Sequence, residues 1–329
     1  MNEVDEFIAA FKKEEDIYSS WGELVRQYIK NTLAEKRMDS ILKIEPSCRL
    51  KDISSLIEKA FYRSKNYENP YNDITDKVGV RFVVLLTDDI PVIKDIIENS
   101  PLWEYSDDRD YIKEKEDKPY LFDYQSVHYV VRNLKCIPVS ENIIIPDGTP
   151  CEIQIRTLLQ HAYAEVSHDS VYKCKAKPSS EIKRRMARTI ALMESTDELF
   201  LLAKNELNKS NEKIEQWATY SISMCHKINP SYDEKIKDKI LYHIINVYFD
   251  VLTDQLIEKY ATYFEDNEDY EQYFTERLSS DYISGFYIKQ SAAIIFCLFM
   301  AEKRTQIFKS KWPFSENDLN EIMLIMGKQ

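Results

Sequence analysis

Helical spacing of apolar residues dominates both ends of the chain. Before residue 45, apolar positions recur every three or four residues, which predicts two successive helices that break near Ser19–Gly22 and end before Pro46. A shorter amphipathic helix is predicted over residues 52–63. From about residue 209 to Met326, the same periodicity predicts helices alone. Helical segments therefore stand on either side of a different, central pattern.

The central pattern is typical of a β-sheet. Val78–Leu86 is β-branched and almost continuously apolar, as expected for a strand that is buried on both faces. Further strands are predicted at Trp103–Tyr105, Val127–Leu134 and Cys151–Ile155. Because the strand signals end well before residue 209, the sheet is expected to belong to the first part of the chain.

Helix start signals follow two of these strands. Pro91 comes after a pair of aspartates and precedes the apolar spacing of a helix over residues 92–97. Thr157 and Gln160 have the spacing of a capping box, which predicts a helix from there to about Tyr172. Another long helix is predicted from Ser179 or Ser180 through roughly residue 208. We therefore predict an α+β domain over residues 1–208 and an all-helical domain over residues 209–329.

Composition narrows the class of protein. The 329 residues carry a formal net charge of −12, which argues against a nucleic-acid coat protein whose whole surface is cationic. Six cysteines show no C-x-x-C pair, and no signal sequence is recognised ahead of them, so we expect reduced thiols and a cytoplasmic location. The apolar run Ser291–Ala301 is too short for a membrane span and predicts a buried core helix.

A cluster of cations precedes the first predicted strand. Arg49 is followed by Lys51, Ser55 and Lys59, and the last three step by four residues, which predicts one face of a helix. Three cations and a hydroxyl suit a polyphosphate. The alternative is a solvated helix face with scattered lysines.

Two further clusters lie at predicted strands. Asp76 stands at the start of a strand with Arg81 five residues later, and a carboxylate at the rim of a sheet can hold Mg²⁺ or only cap the strand. Glu152, Gln154 and Arg156 alternate with isoleucines, so all three point to one face of a strand. Acid, amide and guanidinium on one face, with isoleucines on the other, predict a sheet surface that faces a substrate.

A tyrosine and a histidine flank the start of another predicted strand. Tyr124 can stack on a base, and His128 can contact a phosphate. Taken alone, a tyrosine that enters a sheet is more often a packing residue, so this pair adds weight only together with the other clusters.

The order of these motifs resembles a known family. R-x-K-x-x-x-S-x-x-x-K, D-x-x-G-V-R, Y-Q-S-x-H and E-I-Q-I-R-T follow one another as in the synthetase domain of the RelA/SpoT alarmone enzymes, over residues 38–173. That family transfers pyrophosphate from ATP to the 3′-hydroxyl of GDP or GTP, which yields (p)ppGpp in the stringent response. The resemblance implies a mixed β-sheet flanked by helices, like that of the nucleotidyltransferases. It also implies a stand-alone synthetase without a hydrolase domain.

The resemblance also implies roles for individual residues. Asp76 and Glu152 would hold Mg²⁺, and Glu152 would help to deprotonate the attacking hydroxyl. On the ATP side, the implied residues are Arg49 and Arg81 around the adenine, with Lys51, Ser55 and Lys59 on the phosphates. On the acceptor side, the implied residues are Tyr124 against the base, with His128 and Gln154 orienting the acceptor.

The acceptor side departs from the family pattern. Phe122–Asp123 stands in place of asparagine-glycine, and the stretch from Tyr111 to Tyr124 is longer than usual, so the acceptor stays open. The candidates for contact with the acceptor phosphates are Lys113, Lys115 and Lys118. Lys173–Arg188 is strongly basic and reads as a solvated helix face, a docking site for an acidic partner or a contact to a phosphate backbone.

Three functions follow from these observations. The leading one is a (p)ppGpp synthetase that uses ATP, Mg²⁺ and a guanine nucleotide. The second is a toxin-like pyrophosphokinase that modifies the 3′ end of tRNA or an adenine nucleotide and is restrained by its C-terminal domain. The third is a degenerate, non-enzymatic nucleotide-binding module, against which the presence of both Asp76 and Glu152 speaks. No membrane partner is expected, and assembly into a homo-oligomer stays open.

Overall fold

The chain divides into two compact units. The computed structural model describes residues 3–63, 67–122, 126–168, 178–228, 239–263, 276, 288 and 291–327. Contacts separate residues 1–203, here the N-terminal unit, from residues 204–329, here the C-terminal unit. This division and the predicted boundary after residue 208 both fall within a single helix, Ser180–Ile228.

The N-terminal unit begins with one long helix. Helix α1 (Glu3–Glu35) runs without interruption, so the prediction of two helices with a break near Gly22 was wrong. A Cβ atom added to Gly22 would lie 2.5 Å from both Cys48 Sγ and Val78 Cγ2. The glycine therefore allows the helix to lie close to the sheet, and it does not end the helix.

A mixed five-stranded sheet forms the centre of this unit. The strands are β1 (Leu42–Leu50), β2 (Val78–Val84), β3 (Trp103–Asp110), β4 (Val127–Asn133) and β7 (Pro150–Thr157), and β5 (Ile137–Ser140) with β6 (Ile143–Ile145) forms a separate hairpin. The strand order is β1-β2-β7-β4-β3, with β2 parallel to β7 and the other neighbours antiparallel. The expected α+β class with a mixed sheet is confirmed.

Strand β1 and the hairpin were not predicted. Pro46 lies within β1, although the sequence pattern placed it at the end of a helix. β1 is the edge strand of the sheet, and its pairing with β2 shifts register between Ile44 and Ser47. Because proline lacks a backbone N–H, an irregular edge strand is where a sheet accepts it.

Further helices lie between the strands or follow the last of them. They are α2 (Ile53–Ile57), which continues into a wider π-helical turn (Glu58–Tyr62), α3 (Pro70–Asp73), α4 (Ile90–Glu98), α5 (Tyr111–Asp117), α6 (Leu158–Ser167) and α7 (Ser180–Ile228). The predicted capping box is confirmed, because Gln160 N donates to Thr157 Oγ1 at 3.2 Å and Thr157 N donates to Gln160 Oε1 at 3.0 Å. The predicted extension of this helix to Tyr172 lies outside the described residues beyond His168.

One face of the sheet is covered by α1 and α4, and the other face is only partly buried. Helices α1 and α4 pack on the face formed by the even-numbered residues of β2, among them Val80 and Phe82. Trp21 and Ile29 of α1 are fully buried against this core. Residues of the opposite face are free to carry charge, which is the condition for a site on the sheet.

The C-terminal unit is helical in the residues that the structure describes. Besides the end of α7 it contains α8 (Lys239–Val247), α9 (Asp254–Ala261), α10 (Ala293–Lys303), α11 (Thr305–Lys311) and α12 (Glu316–Ile325). Residues 293–301 of α10 are all buried, so the predicted core helix is confirmed. Among the described residues, no helix is long and apolar enough to cross a membrane.

Candidate active site

A cleft of about 260 Å³ opens on the exposed face of the sheet. Its walls are formed by Ser47, Arg49, Lys51, Asp76, Gly79, Val80, Arg81, His128, Glu152 and Gln154. Strand register explains the grouping: Gln154 lies opposite both Arg81 on β2 and His128 on β4. In the next row, Gly79 lies between Arg49 and Glu152. Because Gly79 adds no side chain to this row, the cleft stays open between a cation and a carboxylate.

Most of the residues predicted for the site meet at this cleft. The structure brings together Asp76, Glu152, Arg49, Lys51, Arg81, His128 and Gln154. Lys59 reaches the same place by its contact with Asp76. Ser55 does not line the cleft, and Tyr124 lies outside the described residues. The roles assigned to these residues by the resemblance stay predictions.

Asp76 is held by two ammonium groups. Lys51 Nζ donates to Asp76 Oδ2, and Lys59 Nζ lies 2.8 Å from Asp76 Oδ1. Burial opposes ionisation of Asp76, but the two lysines outweigh it and hold the pKa of Asp76 below its usual value. The carboxylate is therefore ionised at neutral pH.

The prediction that Lys51, Ser55 and Lys59 lie on one face of a single helix was wrong. Lys51 precedes α2 and is fixed by its backbone, whose N–H donates to Lys77 O at 2.9 Å. Asp52 caps α2, and Ser55 N donates to its carboxylate at 3.3 Å. Lys59 lies in the π-helical turn after α2. The lysines thus converge on one carboxylate from two different local structures, and they do not form a stripe along one helix.

Glu152 is held at both oxygens. His128 Nδ1 lies 3.0 Å from Oε1, and Gln154 Nε2 donates to Oε2 at 2.7 Å. Burial and the charge of Asp76 oppose ionisation of Glu152, but His128 and Gln154 hold its pKa below the usual value. An ionised, oriented carboxylate in a cleft is suited to accept a proton or to bind a cation.

Arg156 continues this network below the cleft. Its Nη2 donates to Gln154 Oε1 at 2.6 Å, and its Nε donates to Ser126 Oγ at 3.3 Å. The side chain shares the face of Glu152 and Gln154, as the alternation predicted, but it is buried and does not line the cleft.

Arg81 is held in place by an ion pair with a residue of α6. Its Nη1 donates to Glu165 Oε1 on α6 at 2.8 Å. Burial, together with the positive charge of Arg81, lowers the pKa of His161 on the same helix. Arg81 therefore stands between the cleft and α6 with its position fixed by an ion pair.

Lys77 supports the segment that carries Asp76, and the sequence did not indicate this role. The residue is 1% exposed, and its ammonium group donates to Ile74 O at 2.9 Å and lies 4.6 Å and 5.2 Å from the ring centroids of Tyr71 and Tyr18. Burial lowers the pKa of Lys77 to about 8. This contact fixes the segment that carries Asp76 against α1. A single lysine in a polar segment reads as a surface residue, so only its proximity to an apolar strand could have suggested burial.

A second cleft of about 280 Å³ adjoins the predicted acceptor loop. Its walls include Arg109, Tyr111, Lys115, Lys118 and Phe122. The three candidate lysines differ: Lys113 pairs with Asp107 at 2.5 Å, Lys115 pairs with Glu194 and Glu198, and Lys118 has no ion pair with the residues that the structure describes. The predicted loop also contains α5, which the sequence pattern did not show.

The two carboxylates of the first cleft fit Mg²⁺. Mg²⁺ keeps most of its water and typically takes one or two carboxylates together with substrate phosphates. Asp76 and Glu152 both line the cleft, so two ionised carboxylates face the same space. A divalent cation held there would offset their combined negative charge. No group of three or more metal-ligating side chains occurs in the described part of the chain, so the phosphates would have to complete the site.

Comparison with known proteins finds a match for the part of the chain that contains this cleft. Residues 48–177 match the model of the region found in RelA/SpoT proteins. The chain carries a RelA/SpoT-family domain. GTP pyrophosphokinase YjbM of Bacillus subtilis is 28% identical to it over 166 residues, which are 49% of this chain and 72% of that protein. The recognition from ordered motifs is therefore confirmed.

Solved structures agree with the RelA/SpoT assignment. Small alarmone synthetase 1 from Bacillus subtilis, bound to its product pppGpp, is 25% identical with a TM-score of 0.51, and the match covers 61% of this chain and 99% of that one. A GTP pyrophosphokinase family protein from Streptococcus pneumoniae has the same fold at 24% identity, with a TM-score of 0.50 over 64% of this chain and 97% of that one. The RelA/SpoT match ends before the C-terminal unit begins.

Proposed function

We propose that this RelA/SpoT protein is a pyrophosphokinase that moves the β,γ-pyrophosphate of ATP onto the 3′-hydroxyl of GDP or GTP in the presence of Mg²⁺. One observation carries the proposal: two ionised carboxylates, Asp76 and Glu152, share a cleft with Arg49, Lys51 and Arg81. The similarity to a GTP pyrophosphokinase supports the class of reaction.

The donor side needs positive charge and a surface for the adenine. Lys51 and Lys59 contact Asp76 and are within reach of a triphosphate that enters the cleft. Guanidinium groups stack on aromatic rings, and Arg49 and Arg81 line the same cleft. Catalysis of phosphoryl-type transfer rests mainly on positioning and charge neutralisation, which these four cations supply.

Asp76 and Glu152 would hold the Mg²⁺, which when bound neutralises phosphate charge and polarises the transferred group. Both carboxylates are ionised at neutral pH because their pKa values lie below the usual range. Lys51 and Lys59 balance the charge of Asp76 in the structure described.

The acceptor side needs a base and an oriented hydroxyl. The 3′-oxygen attacks the β-phosphorus of ATP, the bond from that phosphorus to the α-phosphate oxygen breaks, and AMP leaves. Glu152 accepts the hydroxyl proton, and its two oxygens are held by His128 and Gln154. Because both contacts already exist in the structure, no rearrangement is needed to orient the base.

The proposal is tested by product analysis. Purified protein receives Mg²⁺ and ATP labelled at the γ-phosphate, with GDP, GTP, ADP or bulk tRNA as parallel acceptors, and the products are separated and weighed by mass spectrometry. We expect a guanosine 3′-pyrophosphate and an equal amount of AMP. Transfer to none of the four acceptors would contradict the proposal.

The 3′ end of tRNA is a second candidate acceptor, which one observation favours. Lys183, Arg184, Arg185 and Arg188 are all exposed near the start of α7. Exposed cations in an otherwise acidic protein are suited to a phosphate backbone. Label on tRNA with none on GDP or GTP would assign this acceptor, and a raised salt concentration should then weaken the reaction steeply.

A further inference from the structure

We propose that Arg156 is a positioning residue, which orients the amide of Gln154 and thereby fixes the Glu152 carboxylate in the cleft. The catalytic consequence rests on the proposed function, whereas the geometric claim does not. Arg156 itself contributes nothing to the walls of the cleft, so any effect on the reaction has to pass through its neighbours.

Three hydrogen bonds along β7 carry the inference. Arg156 Nη2 donates to Gln154 Oε1 at 2.6 Å, and Gln154 Nε2 donates to Glu152 Oε2 at 2.7 Å. The third bond, from Arg156 Nε to Ser126 Oγ at 3.3 Å, fixes the guanidinium from the neighbouring segment before β4. Glu152, Gln154 and Arg156 are alternate residues of β7, so their side chains share one face and form a continuous series of hydrogen bonds.

The donors and acceptors in this series of hydrogen bonds follow from the chemical groups involved. A guanidinium can only donate hydrogen bonds, so the end of the Gln154 amide that faces Arg156 has to be its oxygen. An ionised carboxylate can only accept, so the end that faces Glu152 has to be the NH₂ group. Arg156 and Glu152 therefore favour the same amide orientation, and Arg156 holds the oxygen end of the amide while Gln154 stabilises the charge of Glu152.

Without Arg156, one of these two constraints is lost. The Gln154 amide is then held by a hydrogen bond at one end only and can rotate away from Glu152. Glu152 would keep only His128 at Oε1, 3.0 Å away, and its free oxygen could rotate out of the reacting position. Outer contacts of this kind typically change activity by about 10- to 100-fold when they are removed.

The burial of Arg156 supports a role beyond surface charge. Its side chain is 5% exposed, and a guanidinium is expensive to bury unless its donors are used. Arg156 donates to Gln154 and to Ser126, so its burial is accompanied by directed hydrogen bonds to the residues around the cleft.

A double-mutant cycle tests the proposal in the full chain. We compare Arg156→Met, Gln154→Met and the double variant with the wild type, using Arg156→Lys as the conservative change and Arg132→Met, from the same sheet but outside the cleft, as the control. We expect Arg156→Met to lower kcat about 10- to 100-fold with little change in the KM for ATP. The double variant should fall no further than Gln154→Met, and Arg156→Lys should recover part of the loss.

A second readout needs no turnover. In protein labelled with ¹⁵N-glutamine, the side-chain NH₂ signals of Gln154 are assigned by their loss in Gln154→Met. We expect these signals to move in Arg156→Met and to stay in place in Arg132→Met. Unchanged Gln154 signals in Arg156→Met, or losses of kcat that simply add in the double variant, would overturn the inference. If the wild type transfers no pyrophosphate, the proposed function fails, and the NH₂ signals still decide the positioning role.

Discussion

The two units of this protein bury their apolar residues in different ways. In the N-terminal unit, α1 and α4 cover one face of the sheet, while part of the other face forms the cleft with its charged side chains. In the C-terminal unit, α10 is buried along residues 293–301 and has no polar face there. One-sided burial lets a rigid sheet present ionised groups, whereas burial on all sides admits few of them.

The buried polar residues show the same contrast. In the N-terminal unit they include the charged groups Lys77, Asp89, Asp110, Arg156 and Asp197. In the described part of the C-terminal unit, the buried polar residues are Ser221 and Ser291, and Ser221 Oγ is hydrogen bonded to Tyr260 Oη at 2.6 Å. The described part of the C-terminal unit thus buries no charged side chain, and the contrast is testable by substitutions in either unit.

The largest effect on kcat is expected from a change to a carboxylate of the cleft. Asp76→Asn removes one of the two acids of the cleft, so kcat for pyrophosphate transfer should fall about 10³-fold, equivalent to about 4 kcal/mol. Steady-state kinetics measures this loss. Asp108→Asn, an exposed carboxylate on β3 of the same sheet, is the matched control and should leave kcat within about twofold. Equal losses of kcat in the two variants would show that the carboxylate of the cleft has no special role.

The opposite result is expected in the C-terminal unit. Phe296 is fully buried, with ring centroids 5.7 Å from Trp217 and 5.9 Å from Tyr248. Phe296→Ala should lower the free energy of unfolding by about 3–4 kcal/mol, since it leaves a cavity. Urea denaturation measures the change, and Phe200→Ala, at an exposed phenylalanine, should cost no more than about 0.5 kcal/mol. A loss of kcat in folded Phe296→Ala protein would instead connect this core to the reaction.

Buried charge in the N-terminal unit predicts a dependence on pH. Because the pKa of Lys77 is lowered to about 8 in the folded protein, the unfolded chain binds more protons above that pH. The free energy of unfolding of the wild type should therefore rise relative to Lys77→Met between pH 8 and about 10.5, by about 2–3 kcal/mol. Parallel urea titrations across this range check the prediction, and a constant difference between the two proteins would contradict it.

The smallest effect concerns the packing of α1 on the sheet. In Gly22→Ala, the new Cβ would meet Cys48 Sγ and Val78 Cγ2 at 2.5 Å. Overpacking should outweigh the better helix propensity of alanine and lower the free energy of unfolding by about 1 kcal/mol. Ser19→Ala, exposed on the same helix, is the control and should be neutral. A more stable Gly22→Ala protein would show that α1 can move away from the sheet at no cost.

Sequence patterns predicted the parts of the fold whose burial is regular. β2 was found because its apolar run is short and rich in β-branched residues, and β7 because its polar and apolar residues alternate strictly. β1 was missed because Pro46 and a register shift hide its alternation, and the break expected at Gly22 is a close contact instead. Local patterns do not show which residue another element will approach.

The site could be predicted as far as its motifs are local. Asp76 and Glu152 were identified from their strands, and the structure brings them to one cleft. The convergence of Lys51 and Lys59 on Asp76, and the burial of Lys77, arise from contacts between separate segments and have no signal in the sequence. The role predicted for Tyr124 lies outside the described residues.

Pyrophosphate transfer by Glu152→Gln is the most direct test of whether the reaction takes place at this cleft. Wild type, Glu152→Gln and the exposed control Glu104→Gln receive labelled ATP, Mg²⁺ and GDP, and both AMP and the 3′-pyrophosphorylated nucleotide are quantified. In the wild type and in Glu104→Gln, we expect AMP and the 3′-pyrophosphorylated nucleotide to form in equal amounts. In Glu152→Gln, we expect neither product above background. Formation of both products by Glu152→Gln at the rate of the wild type would contradict the assignment of the reaction to this face of the sheet.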